Sequence, residues 1–162
     1  MTKFLSQMIQ CCFFAVFIAL LLTGCGGPTV DKNTRLVERI KSMEAAVENR
    51  HVDDFMAAIS DAVETERGWG KKDIERMLRL QLMRRSSVHI HPQLKSIDWR
   101  HDGEEEAEVK LAVAMAATAF SLEDLARINA DLMLFTVTFR QHNGEYKITQ
   151  ARWQRARPLD FL

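Results

Sequence analysis

Cysteine, proline, glycine and tyrosine are all scarce in this chain. Of 162 residues only 3 are Cys, 3 Pro, 7 Gly and 1 Tyr. The three Cys stand at positions 11, 12 and 25, so no disulfide framework, thiol nucleophile or cysteine metal site can be built from residues 26–162. So little Pro and Gly beside 47% apolar residues excludes a collagen-like or disordered chain. Excess charge is absent too: 22 Lys and Arg balance 22 Asp and Glu, which argues against a nucleic-acid partner held by a basic surface. A glycine-rich phosphate loop, a Gly-x-Ser-x-Gly elbow and a His-Glu-x-x-His pair are missing as well. The length suits one domain with one core.

The longest apolar run, Cys11 to Leu22, has 12 residues. As a helix it would reach about 18 Å, short of the roughly 30 Å of a bilayer's hydrocarbon core. With Lys3 before it and small residues after it, residues 1–24 read as a secretory signal peptide. Leu22-Thr23-Gly24-Cys25 resembles the lipobox of bacterial lipoproteins. That resemblance implies cleavage before Cys25, lipidation of its thiol and a lipid anchor in the membrane. Gly26, where an acidic retention signal is absent, then implies the outer membrane, with the domain facing the periplasm. One acyl chain holds a protein only marginally and two or more hold it stably. Residues 25–32 form the lipidated Cys and tether; without Lys3 the balance from residue 25 onward is 21 basic to 22 acidic residues, or −1.

The remainder changes period halfway. Leu36, Ile40, Met43 and Val47 recur at helical spacing, predicting a helix over about 34–50. A shorter helix is expected over 52–59, with Phe55, Met56 and Ile59 facing inward and Ser60-Asp61 ending it. Residues 64–70 read as a loop and 71–84 as a third helix, so three helices precede any clear strand. Beyond them, Val88 and Ile90 alternate with His89 and His91 until Pro92 interrupts, and 94–99 forms another extended piece. Period-two alternation marks a strand over 107–115. Residues 121–129 fit either a short helix or a long loop. Strands over 132–141 and 146–155 flank Asn143-Gly144, a strong hairpin signal. The expected fold is α+β: three N-terminal helices packed on one face of a curved antiparallel sheet, over residues 33–157, with 158–162 a C-terminal tail.

This order of elements resembles the nuclear transport factor 2-like superfamily, whose cone-shaped fold includes SnoaL-like and ketosteroid isomerase-like domains. The resemblance rests on Val52-Asp53-Asp54-Phe55-Met56, on Gly70-Lys71-Lys72-Asp73-Ile74, on Asn143 to Ile148 and on Ala151-Arg152-Trp153. It spans about residues 33–156, and Tyr146 stands where many members carry Trp. It implies a cone whose interior can take a ligand and an outer sheet face through which two copies can pair.

Candidate chemistry is sparse. His89 and His91 share one strand face, but Val88 and Ile90 are the natural core residues, so the histidines read as outward-facing polar groups. No third ligand stands at metal-binding spacing, and no cofactor is implied. Asp98 and Asp102 are candidates for a buried base by analogy with isomerases of the resembling fold; such a base needs a dry pocket and an opposing donor, and as nothing places Tyr146 opposite either acid, both read first as strand-edge or turn residues. The Glu104-Glu105-Glu106 run reads as solvated loop, and Arg152, Arg155 and Arg157 as a basic end. Phe55, Trp69, Asp98 and Trp153 are the candidate pocket residues, with Trp69, in a Gly-flanked loop, read either as the cover of a cavity mouth or as a cap on the core. The function expected is a binding or assembly module of the cell envelope without catalysis, with an envelope protein as partner. The alternatives are an isomerase or hydrolase-like enzyme using a buried carboxylate, and a carrier of an apolar ligand.

Overall fold

A computed structural model describes residues 31–100, 106–125 and 127–161. The signal-like segment, the lipobox and Cys25 lie outside the described residues, as do Asp102, Glu104 and Glu105.

Helix α1 spans Lys32–Glu48 and buries Leu36, Met43, Ala46 and Val47 on one face. It ends where Arg50 takes a left-handed φ of 61°. That conformation is uncommon for arginine, and its guanidinium compensates by donating to the carbonyls of Leu82, Arg85 and Ser86 beyond it. These carbonyls lie in the last turn of another helix and in the segment that follows it. Helix α2 covers Val52–Ala57 with Asp53 and Asp54 in its first turn, where carboxylates suit the helix dipole. Helix α3 runs Lys71–Met83. Its start is fixed by the Gly70 N–H donating to Asp73 Oδ2 at 3.1 Å.

Five strands form one sheet in the order β1-β5-β4-β3-β2. They are β1 (Ile59–Thr65), β2 (His89–Trp99), β3 (Glu106–Ala116), β4 (Asp131–His142) and β5 (Glu145–Arg155). β2 to β5 pair antiparallel, and the β4–β5 hairpin turns through Asn143 and Gly144 at φ 51° and 84°, the positive values that a tight two-residue turn demands.

The fold class holds, with three corrections of detail. Strand β1 lies between α2 and α3, so only two helices precede the first strand. It pairs parallel with β5, making the sheet mixed instead of wholly antiparallel. A bulge between Ile59 and Glu64 breaks its register, and its buried residues, Ile59 and Val63, stand four apart. The period-two alternation that marks a strand is therefore missing, and the sequence offers a helix end at Ile59 and a loop from residue 64 instead. Pro92 does not interrupt β2, because β2 is an edge strand where a missing N–H goes unfelt. The ambiguous 121–129 stretch contains a single 3₁₀ turn at Leu122–Asp124.

Alternation divides the sheet into two faces. Val109, Leu111, Val113 and Met115 on β3, with Phe135, Val137 and Phe139 on β4, face the helices and join the main core. Ala112, Ala114, Leu132 and Leu134 face the other way, against Phe120, Leu122, Leu125 and Ile128. The Pro158–Phe161 turn places Phe161, 2% exposed, in the same outer cluster. His91 sits with this outer layer, edge-on to Phe120 at 6.4 Å between ring centroids.

Candidate functional site

The two ends of the cone differ. At one end the first turn of α1 meets the last residues of β2 and the start of β5. Trp99 and Tyr146 pack there with ring centroids 5.8 Å apart. Lys32 Nζ lies 4.7 Å from the Trp99 centroid, and the Arg35 guanidinium 5.3 Å from that of Tyr146. Trp99 Nε1 donates to Asn33 Oδ1 at 2.8 Å, and Arg39 Nε to the Tyr146 carbonyl at 3.1 Å. Leu36, Ala107 and Val109 are fully buried here and none of them lines the main cavity, so the core is closed at this end.

At the other end the cone is hollow. A cavity of about 810 Å³ opens between α1, α2 and α3 on one side and the sheet on the other. Its volume falls in the range of small-molecule sites, roughly 300–1,000 Å³. Met43 and Val47 of α1, Phe55 of α2, Met77 and Leu78 of α3, and Val113, Phe135 and Trp153 of the sheet line it. The polar side chains in the lining are few: Glu44, Gln81, Asn129, Asp131 and Arg155. Among the lining residues only Asn129, Asp131 and Arg155 are exposed, and they mark the mouth.

Trp69 and Trp153 form one wall of that mouth, 5.4 Å apart and tilted by 55°. Phe135 stands 6.2 Å from Trp153. The loop holding Trp69 is fixed by its own backbone: the Trp69 N–H donates to Thr65 Oγ1 at 2.7 Å, and that hydroxyl donates back to the Trp69 carbonyl at 3.0 Å. Gly68, at φ +70°, supplies the left-handed residue in between. The Arg67 guanidinium covers both indoles, 5.8 Å from the Trp69 centroid and 5.3 Å from that of Trp153.

The charges at the site have distinct states. Asp131 is paired with Arg85, whose guanidinium also donates to Gln81 Oε1 at 2.8 Å. Glu44 lies half-buried in the wall. Burial, then the Glu48 carboxylate one turn on, raise its pKa from the ordinary 4.5, while His91 and Lys41 oppose the rise. Arg155 has no ion-pair partner among the described residues. Among those residues no group of three His, Cys, Asp or Glu is placed to hold a metal.

Three of the four sequence-predicted pocket residues, Phe55, Trp69 and Trp153, therefore share the cavity wall. Asp98 does not join them. It sits opposite Glu108 on the outward face of the β2–β3 pair, exposed, accepting from Ser96 Oγ at 3.0 Å. Ile97 and Trp99 on either side of it pack against the main core, so strand alternation sends Asp98 away from the interior. The half-buried carboxyl in the cavity wall, Glu44, follows the apolar stripe: it stands four residues after Ile40 and beside Met43. Helix geometry could have singled it out.

Comparison with known proteins places the fold and nothing finer. No protein-family model matches the chain, and no curated protein does. Solved structures do. A scytalone dehydratase candidate from Novosphingobium aromaticivorans aligns with a TM-score of 0.60 at 13% identity, over 76% of this chain and 83% of that one. An NTF-2 like protein of unknown function from Shewanella oneidensis gives 0.60 at 13%, over 76% and 98%. A hexachlorocyclohexane dehydrochlorinase, LinA type 2, gives 0.56 at 9%, over 77% and 85%. The chain thus shares the cone-like α+β fold of these NTF2-like structures, and at these identities the likeness is one of fold.

Proposed function

We propose that this chain is a lipid-anchored protein of the bacterial envelope whose cone holds an apolar small molecule, binding it without chemical change. The observation that carries the binding half is the hollow interior: about 810 Å³ walled by Met, Leu, Val, Phe and Trp side chains. Such a volume left empty forfeits packing that a well-filled core would keep. A cone serving only as an assembly module has no use for it. The anchoring half is supported by Leu22-Thr23-Gly24-Cys25 after a short apolar run, and the outer-membrane, periplasm-facing location by Gly26. Envelope proteins remain the partners this reading favours. Pairing of two copies through the outer sheet face would use the surface that Phe161 and the 120–130 segment leave uncovered.

Two experiments test the halves separately. Expressed in a diderm bacterium, the full chain should incorporate labelled fatty acid, and Cys25→Ser should abolish incorporation; labelling that persists in the variant removes the anchor. Native mass spectrometry of the purified full chain should show a single bound small molecule released on collision. A bare mass from every preparation, with no uptake from an added lipid extract, removes the carrier.

A second reading is favoured by one observation, the half-buried Glu44 carboxyl in the cavity wall. A carboxyl held above its ordinary pKa in an apolar cavity suits proton transfer. Structures of like fold include one named for a dehydrochlorinase. In that reading the protein eliminates or isomerises a bound small molecule, with Glu44 as the proton acceptor. Turnover that disappears in Glu44→Gln while ligand binding persists would establish it.

A further inference from the structure

The charges at the cavity mouth select among apolar ligands. Asp131 is neutralised by Arg85. Glu44, deeper in the wall, is pushed by burial toward its uncharged form. Arg155 projects from the end of β5, exposed, and is without an ion-pair partner among the described residues. Arg67 adds a second positive charge over Trp69 and Trp153. The cone is thus lined mostly by apolar side chains, with two arginines, Arg155 and Arg67, standing at its mouth.

We infer that the ligand is an anionic amphiphile, a long-chain carboxylate, with its hydrocarbon in the cone and its head group on Arg155. A planar guanidinium matches a carboxylate with two parallel N–H···O bonds, the strong charge-assisted kind. Met43, Met77 and Leu78 supply adaptable walls for a flexible chain. A cationic head group would instead meet two arginines, and a neutral one would leave Arg155 unmatched. The inference rests on the cavity being a binding site, as proposed above.

The test is displacement of N-phenylnaphthylamine, a neutral apolar dye, from the full chain in a neutral detergent. Dodecanoate, dodecanol and dodecylamine compete in parallel. Dodecanoate should displace the dye at about tenfold lower concentration than dodecanol, the factor expected of one charge-assisted contact at a partly exposed site, and dodecylamine should be weakest. Arg155→Gln should bring acid and alcohol to the same midpoint, and Arg155→Lys should retain part of the preference. Arg155 is exposed, and a thermal melt of each variant checks that the fold survives. Equal midpoints for acid and alcohol on the unaltered protein would overturn the head-group assignment while leaving the cavity intact. Failure of all three to displace the dye, or failure of the dye to bind, would overturn the cavity reading and this inference with it.

Discussion

The closed and open ends of the cone are built from the same strands, yet one is packed and the other hollow. At the closed end Tyr146 is nearly fully buried and Leu36 of α1 fully so. At the open end Trp153, further along the same strand, and its neighbour Phe135 remain only part-buried. Residue type does not separate the ends, for both are aromatic and aliphatic. The cover does. The first turn of α1 lies on the sheet through cations stacked on Trp99 and Tyr146, while α3 buries only Leu82 and leaves Ile74, Met77 and Leu78 facing empty space. A hollow end must be held open by its rim, here by the fixed Trp69 loop and by the Arg85–Asp131 pair.

That contrast is breakable by truncating leucines. Leu36→Ala creates a new void in a packed end and should cost about 3–5 kcal/mol in chemical denaturation. Leu78→Ala enlarges a space that already exists, and should cost about 2 kcal/mol or less. Equal costs would mean that the cavity collapses in solution. Next in size comes Trp69→Ala. Losing its aromatic contact at the mouth should weaken binding of a neutral apolar dye about tenfold, corresponding to about 1.4 kcal/mol. At the closed end Tyr146→Phe removes only the hydroxyl that accepts from Arg35 at 3.4 Å. It should cost about 1 kcal/mol or less and leave dye binding unchanged.

Local periodicity made some elements easier to read than others. The α1 stripe of Leu36, Ile40, Met43 and Val47, the alternation of β3 and the Asn143-Gly144 hairpin are local signals, and each appears in the structure where its period put it. Phe55, Trp69 and Trp153 were legible as pocket residues because they are large apolar side chains on a short helix, a Gly-flanked loop and a strand that meet over the sheet. Strand β1 was hidden: it is short, bulged and carried on the parallel edge, so its buried residues mimic a helical spacing. Asp98 was a candidate only by analogy with isomerases; it stands between the core-facing Ile97 and Trp99, and alternation sends it outward. Arg155 read as one of three basic residues near the end of the chain. Only the tertiary structure pairs Arg152 with Glu108 and Arg157 with Asp160 and leaves Arg155 at the mouth.

The smallest expected effect is a pH dependence. Glu44 has its folded pKa raised above the unfolded 4.5, so the folded state binds the proton more tightly. Its contribution is intact below the unfolded value and is lost as pH rises from 4.5 through the higher folded value. Glu44→Gln should therefore lose less stability than the native protein over that interval. Melting curves on both proteins across mildly acidic to neutral pH would show the gap widening upward and then levelling. A gap that narrows with rising pH would mean that Glu44 is stabilised as a carboxylate, contrary to its place in an apolar wall.

The central claim is that the hollow end of the cone binds an apolar molecule. It is tested most directly by titrating the full chain with N-phenylnaphthylamine while exciting tryptophan. Trp69 and Trp153 line the cavity and Trp99 lies at the closed end. The account predicts saturable binding of one dye per chain, with energy transfer that falls in Trp69→Ala, and loss of binding when Val113→Phe fills the floor of the cavity without unfolding the domain. Dye fluorescence that rises without saturation and is indifferent to both substitutions would contradict it.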